Sequence, residues 1–80
     1  MMTPTFNQDK VDEMILALMY LTSFNNGFGV SSWKGYDWDS LNRLHSKGFI
    51  SNPVSKAKSV SLSPEGLAMM ESLFKKHFES

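Results

Sequence analysis

Leu41-Asn42-Arg43-Leu44-His45-Ser46-Lys47-Gly48-Phe49-Ile50 reads as a helix brought to a stop and turned into a strand. Gly48 stands where a left-handed residue ends a helix, and Phe49-Ile50 opens an extended run. Upstream, Asp37 is the N-cap, so the helix covers about Trp38 to Lys47. Trp38, Leu41 and Leu44, with His45 at the edge, form its expected buried stripe. Ser40, Arg43 and Lys47 share another face, with Asn42 and Ser46 beside them.

Downstream, Ser51-Asn52-Pro53 is a turn and Val54 to Lys58 a hairpin arm or tip. Ser59-Val60-Ser61-Leu62 alternates with period two, as a strand should. Ser63-Pro64-Glu65 then starts a helix: a hydroxyl cap, proline in the first turn and an acid at the positive end of the dipole. This helix runs from Pro64 to about Phe78, with Leu67, Met70, Phe74 and Phe78, and also Met69 and Leu73, near helical spacing. At the other end of the chain, Asn7 caps a helix from Gln8 to about Ser23 after an N-terminal tail, residues 1–7. Val11, Met14, Ile15, Leu18, Leu21 and Thr22 form its expected buried stripe. Leu16, Ala17, Met19 and Tyr20 add apolar residues to its other faces, the pattern of a central helix.

The order helix, helix, hairpin, helix resembles a winged helix-turn-helix domain. Leu41 to Ile50 is similar to a recognition helix entering the wing, and Val60-Ser61-Leu62-Ser63-Pro64-Glu65-Gly66 to the exit strand and helix start of bacterial winged-helix regulators. Trp33-Lys34-Gly35-Tyr36-Asp37-Trp38, Arg43-Leu44-His45, Lys47-Gly48 and Pro53-Val54-Ser55-Lys56-Ala57-Lys58-Ser59-Val60 together resemble a small bacterial family of unknown function, over roughly residues 8 to 78. The resemblance implies a single α+β domain over residues 1–80, a small winged helix of three main helices with a β-hairpin wing. One departure stands out. Only Phe24 to Asp37, with Gly27, Gly29 and Gly35, separates the first two helices, room for at most one helical turn near Ser31 to Lys34. The first helix of the helix-turn-helix pair is therefore expected to be shortened or absent.

Length and composition bound the rest. Eighty residues make one core, and a chain this short buries only about 60–65% of its unfolded surface. No cysteine means no disulfide, thiolate chemistry or cysteine zinc site. The N-terminus has no basic and apolar leader, and the longest apolar run is too short for a membrane span, so a cytoplasmic protein is expected. Eight basic and eight acidic residues cancel, but unevenly: residues 1–40 carry −3 and residues 41–80 carry +3. Ser40 to Pro64 holds four basic residues and no acid.

Within the winged-helix resemblance, those four meet a phosphate backbone. The expected nucleic-acid surface is Ser40, Asn42, Arg43, Lys47, Lys56 and Lys58, with double-stranded DNA as partner. Four contacts would give a log–log salt slope of only about −3.6. The alternative is a protein-interaction adaptor that kept the frame and lost DNA binding, working through Trp33, Tyr36, Met69 and Leu73. The cluster Phe24, Phe28, Trp33, Tyr36 and Trp38 is expected mainly to fill the space of the missing helix, with Trp38 in the core. The C-terminal helix carries a broad apolar face, and such a helix commonly joins winged-helix regulators into homodimers.

No catalytic set is visible. His45 and His77 have no metal-ligand spacing, Ser59 and Ser61 no nearby base, and Gly27 and Gly29 no phosphate-loop context. Asp37 is accounted for by helix capping. An enzyme, a metal and a cofactor are not expected.

Overall fold

Three locally encoded caps set the helices. The Asn7 side chain accepts the Lys10 N–H at 3.0 Å and opens α1, Gln8–Leu18. Asp37 accepts the Ser40 N–H at 3.1 Å and opens α2, Trp38–Ser46. Ser63 accepts the Gly66 N–H at 2.9 Å and opens α3, Pro64–Phe78. The computed structural model describes residues 5–80; of the expected N-terminal tail, residues 1–4 lie outside the described residues.

Three short strands complete the domain: β1, Ser23–Asn25, β2, Val30–Trp33, and β3, Ser59–Ser61. They form one antiparallel sheet in the order β1-β2-β3. Phe24 faces Ser31, and Ser31 faces Ser61; Ser32 faces Val60, and Trp33 faces Ser59. The result is the expected small α+β domain, winged-helix-like in arrangement, with no helix between α1 and α2.

The strands are placed differently from the sequence reading. The segment expected to hold one helical turn, Ser31 to Lys34, is mostly β2, and Phe24 to Asp37 contributes a β-hairpin closed by the Asn26 N–H to the Gly29 carbonyl at 2.9 Å. The expected wing is reduced. Its base is a single bridge, Ile50 to Leu62, reinforced by the Ser51 N–H donating to the Ser61 carbonyl at 2.9 Å. Between them, residues 51–58 make a loop rather than two paired arms. Lys34 pins that loop: its ammonium donates to the carbonyls of Pro53 at 2.7 Å and Ser55 at 3.0 Å. Those contacts satisfy carbonyls that a paired arm would have given to a neighbouring strand.

α1 also ends early. After Leu18 the chain continues through four tight turns, with the N–H groups of Tyr20, Leu21, Thr22 and Ser23 donating three residues back. Thr22 ties this end to the following segment, its hydroxyl shared with Ser32 Oγ at 2.8 Å and Tyr36 Oη at 3.0 Å. The buried face of α1 is Asp12, Leu16, Ala17 and Met19, whereas Leu18 and Leu21 face solvent. The stripe is rotated from the expected one because it carries an acid, which a count of apolar residues passes over.

The core is Leu16, Ala17 and Met19 from α1, Leu41 and Leu44 from α2, Ile50, Val60 from β3, and Met70 and Leu73 from α3. Two glycines shape the junction of α2 with α3. Gly48 takes φ +80°, the left-handed stop expected after α2. Gly66 packs directly on Phe49, so that a Cβ there would fall onto the Phe49 carbonyl. The start of α3 can therefore lie flush against the end of α2 only because Gly66 has no side chain.

Candidate functional site

α2 packs against α1, and this contact decides the fate of its basic residues. Arg43 reaches the buried Asp12 carboxylate with two parallel hydrogen bonds, Nε to Oδ2 at 2.6 Å and Nη2 to Oδ1 at 2.9 Å. The same Nη2 donates to Ser40 Oγ at 3.2 Å, and Ser40 Oγ donates to Asp37 at 3.2 Å. Lys47 lies 3.3 Å from Asp9 and 3.8 Å from Asp12. Burial by itself would push the Asp12 pKa up. The hydrogen bond from Arg43 and the positive charges of Arg43 and Lys47 outweigh it and hold the carboxyl below the usual aspartate range. The Asp12 hydrogen bond in turn raises the pKa of Arg43.

The six residues expected to face nucleic acid are thus divided. Ser40 is fully buried and hydrogen-bonded inside the protein, so it reaches no base edge. Arg43 holds Asp12, and Lys47 points back at α1. Asn42 is exposed on α2. Lys56 and Lys58 are exposed on the 51–58 loop, and among the described residues no carboxylate lies within 4.0 Å of either.

The four residues of the alternative surface also separate. Trp33 is half-exposed on β2, and Tyr36 is partly buried with its hydroxyl on Thr22. Met69 and Leu73 come together in a groove of about 320 Å³. Leu16, Leu44, Phe49, Met69 and Leu73 line its apolar part, and Asp9, Lys10, Glu13 and Lys47 its charged part. Met69 is 41% exposed, whereas Leu73 belongs to the core.

The aromatic cluster does not fill the space of the missing helix. Phe28 is fully exposed at the tip of the β1–β2 hairpin, Trp33 is 52% exposed and Trp38 55% exposed. Trp38 is therefore not in the core; Ser40 takes its place beside Leu41 and Leu44 on the buried side of α2. Trp38 instead has the Lys34 ammonium 5.8 Å from its ring centroid.

Three participants were not singled out by the sequence: Asp12, Lys34 and Phe49. Asp12 had a signal. It lies four residues before Leu16 and seven before Met19, on a stripe whose acid needs a cation opposite. For Lys34 and Phe49 there was no local signal, because their partners lie in other elements.

The described residues contain no group of three His, Cys, Asp or Glu side chains placed to hold a metal ion. Within them, no helix is long and apolar enough to cross a membrane. The His45 imidazole is occupied by the Ile50 carbonyl, with Nδ1 at 3.0 Å.

Residues 7–80 match a family described as a domain of unknown function (DUF6429). A protein of Sinorhizobium fredii (strain NBRC 101917 / NGR234), described as uncharacterized protein y4hR, is 44% identical over 72 residues, covering 90% of this chain and 93% of that one. No solved structure matches.

Proposed function

The chain belongs to the DUF6429 family, and we propose that it is a non-enzymatic protein-interaction module, working through the groove between α1, α2 and α3. The observation that carries this reading is the union of an apolar lining with a charged rim at one concave site. Met69 provides an exposed flexible apolar edge, a side chain suited to accommodating a partner's surface. The rim carries Asp9, Lys10 and Glu13 from α1 and Lys47 from α2, with Lys10 3.7 Å from Glu13 and Lys47 3.3 Å from Asp9. It suits a protein segment whose apolar side chains enter the groove and whose polar groups meet this mixed-charge rim. A second copy of this chain, docking through α3, is one such partner.

Duplex DNA is the second reading, supported by the unpaired Lys56 and Lys58. It is weakened because Arg43 and Lys47 on α2 face carboxylates. Two free lysines would give a salt slope of only about −1.8 on duplex DNA.

A photo-activatable cross-linker at position 69, introduced into the chain in living bacteria, separates the two. The interaction reading expects one discrete protein adduct, lost on Asp9→Lys with Glu13→Lys and retained on Lys56→Glu with Lys58→Glu. Retardation of duplex DNA at ~50 mM salt that disappears with the lysine substitutions, without any protein adduct, would falsify it.

A further inference from the structure

α3 turns one side to the core and leaves another bare. Gly66, Met70 and Leu73 are its buried residues. Ala68, Glu71, Lys75 and Phe78 follow one another at steps of three, four and three, so they form a single stripe along the helix. All four are exposed. Glu71 and Lys75 stand one turn apart, in the order that favours an ion pair within a helix. Yet among the described residues neither lies within 4.0 Å of an opposite charge.

An aromatic ridge runs beside the stripe. The Tyr20 ring, carried by the turns after α1, stacks on Phe74 with centroids 4.4 Å apart, and Phe74 meets Phe78 at 5.6 Å. Tyr20 and Phe78 are each 43% exposed, and Leu21 beside Tyr20 is 68% exposed. Aromatic residues are enriched where proteins meet.

The stripe is complementary to itself. Two copies of α3 can lie antiparallel about a two-fold axis midway between Glu71 and Lys75, so that each residue faces the one equally far from the axis. Glu71 then faces Lys75 of the second copy, and Lys75 faces Glu71 of that copy. Phe78 lies over Ala68 of the second copy, a large ring against a methyl group. That match of size lets two helices approach to about 8–10 Å.

We propose that this face of α3 joins two copies of the chain into an antiparallel, two-fold dimer. The free charges choose the occupant: a partner here must offer a base to Glu71 and an acid to Lys75, one turn apart in reverse order, and the chain itself carries that pattern. The contact differs from a second copy seated in the groove. Met69 lies nine residues before Phe78, about half a turn round the helix, so the two faces are separate. The dimer therefore stands independently of the groove reading. With a small apolar area and two exposed ion pairs it is weak, reversible and sensitive to salt.

Sedimentation equilibrium of the full chain at ~50 mM salt tests this, with a monomer–dimer equilibrium expected that shifts toward monomer as salt rises. Glu71→Lys alone, or Lys75→Glu alone, sets like charges face to face and should weaken self-association at least ~10-fold. Both positions are exposed, so the fold is kept. Mixed in equal amounts, the two variants should associate with each other, because a basic stripe then meets an acidic one. Met69→Glu should leave the wild-type equilibrium unchanged. A chain that stays monomeric up to ~1 mM overturns the proposal. So does a dimer indifferent to either charge reversal, or a loss that mixing the two variants does not rescue. A dimer lost on Met69→Glu also overturns it, and places the second copy in the groove.

Discussion

α2 and the 51–58 loop each carry two basic residues that look alike in the sequence, yet they do different work. Arg43 and Lys47 face the acids of α1 and hold two helices together, whereas Lys56 and Lys58 face solvent. The contrast teaches that a positive charge on a helix marks a binding surface only if nothing packed against that helix answers it. Asp12 answers Arg43 from 31 residues away.

The contrast can be broken most forcefully at Arg43. Arg43→Leu takes both hydrogen bonds from the buried Asp12 carboxylate and leaves it only Lys47 at 3.8 Å, and an under-satisfied buried acceptor costs about 1–3 kcal/mol. Urea unfolding should show a loss of that size. Adding Asp12→Leu should recover most of it, because an apolar pair in place of a buried ion pair is often neutral or stabilising. If the double variant is as unstable as the single one, the pair is not what makes Arg43 structural.

Acid titration sharpens the same point. The folded pKa of Asp12 lies below its ordinary value of 3.8, so the unfolded chain takes up the proton first. The stability this carboxylate confers is complete above about pH 5 and is lost as pH falls through 3.8 and then the lower folded value. Thermal melts from pH 6 to pH 2.5 should show a smaller acid loss for the Asp12→Leu, Arg43→Leu variant than for the wild type. Equal losses in the two would assign the acid sensitivity to other carboxylates.

The smallest effects belong to the lysines. Lys47→Ala should cost about 1 kcal/mol, since its contact with Asp9 is solvent-exposed and that with Asp12 is long, at 3.8 Å. Raising the salt should shrink that cost. Lys56→Ala and Lys58→Ala should each stay within about 0.5 kcal/mol, as ordinary surface substitutions do. A stability loss at Lys56 above that at Lys47 would reverse the comparison.

The distinction between α2 and the loop follows from the range over which each signal acts. The ends of α2 and α3 were legible because a cap and a stop involve neighbours within a few residues: Asp37 with Ser40, Gly48 after His45, Ser63 with Gly66. α3 spans the expected Pro64–Phe78, and α2 ends one residue earlier than expected, at Ser46. The hairpin through Asn26-Gly27 escaped, although Asn-Gly is a hairpin dipeptide, because its strands are short and β2 buries serines in place of aliphatic residues. Ser31 and Ser32 are buried with their hydroxyls hydrogen-bonded to Asn26, Thr22 and the Trp33 carbonyl, a pattern no hydrophobic alternation reveals.

Of the candidate surfaces, the sequence singled out Met69 and Leu73 but not the groove around them. Leu16, Leu44 and Phe49 reach it from three separate stretches of chain. Trp38 shows the opposite error. Its position on α2 suited a buried stripe, but the neighbouring elements leave that side open and it stays 55% exposed.

By itself the sequence determined a small α+β domain, the ends of α2 and α3, the left-handed stop at Gly48 and that no full helix fits between α1 and α2. These rest on backbone preferences and hydrogen bonds closed within a turn or two. Tertiary structure alone decided which side of α1 is buried, where the sheet takes its strands and which cations remain free. Those outcomes depend on burial and charge pairing between residues distant along the chain, where an acid such as Asp12 acquires a buried place only once Arg43 is folded against it.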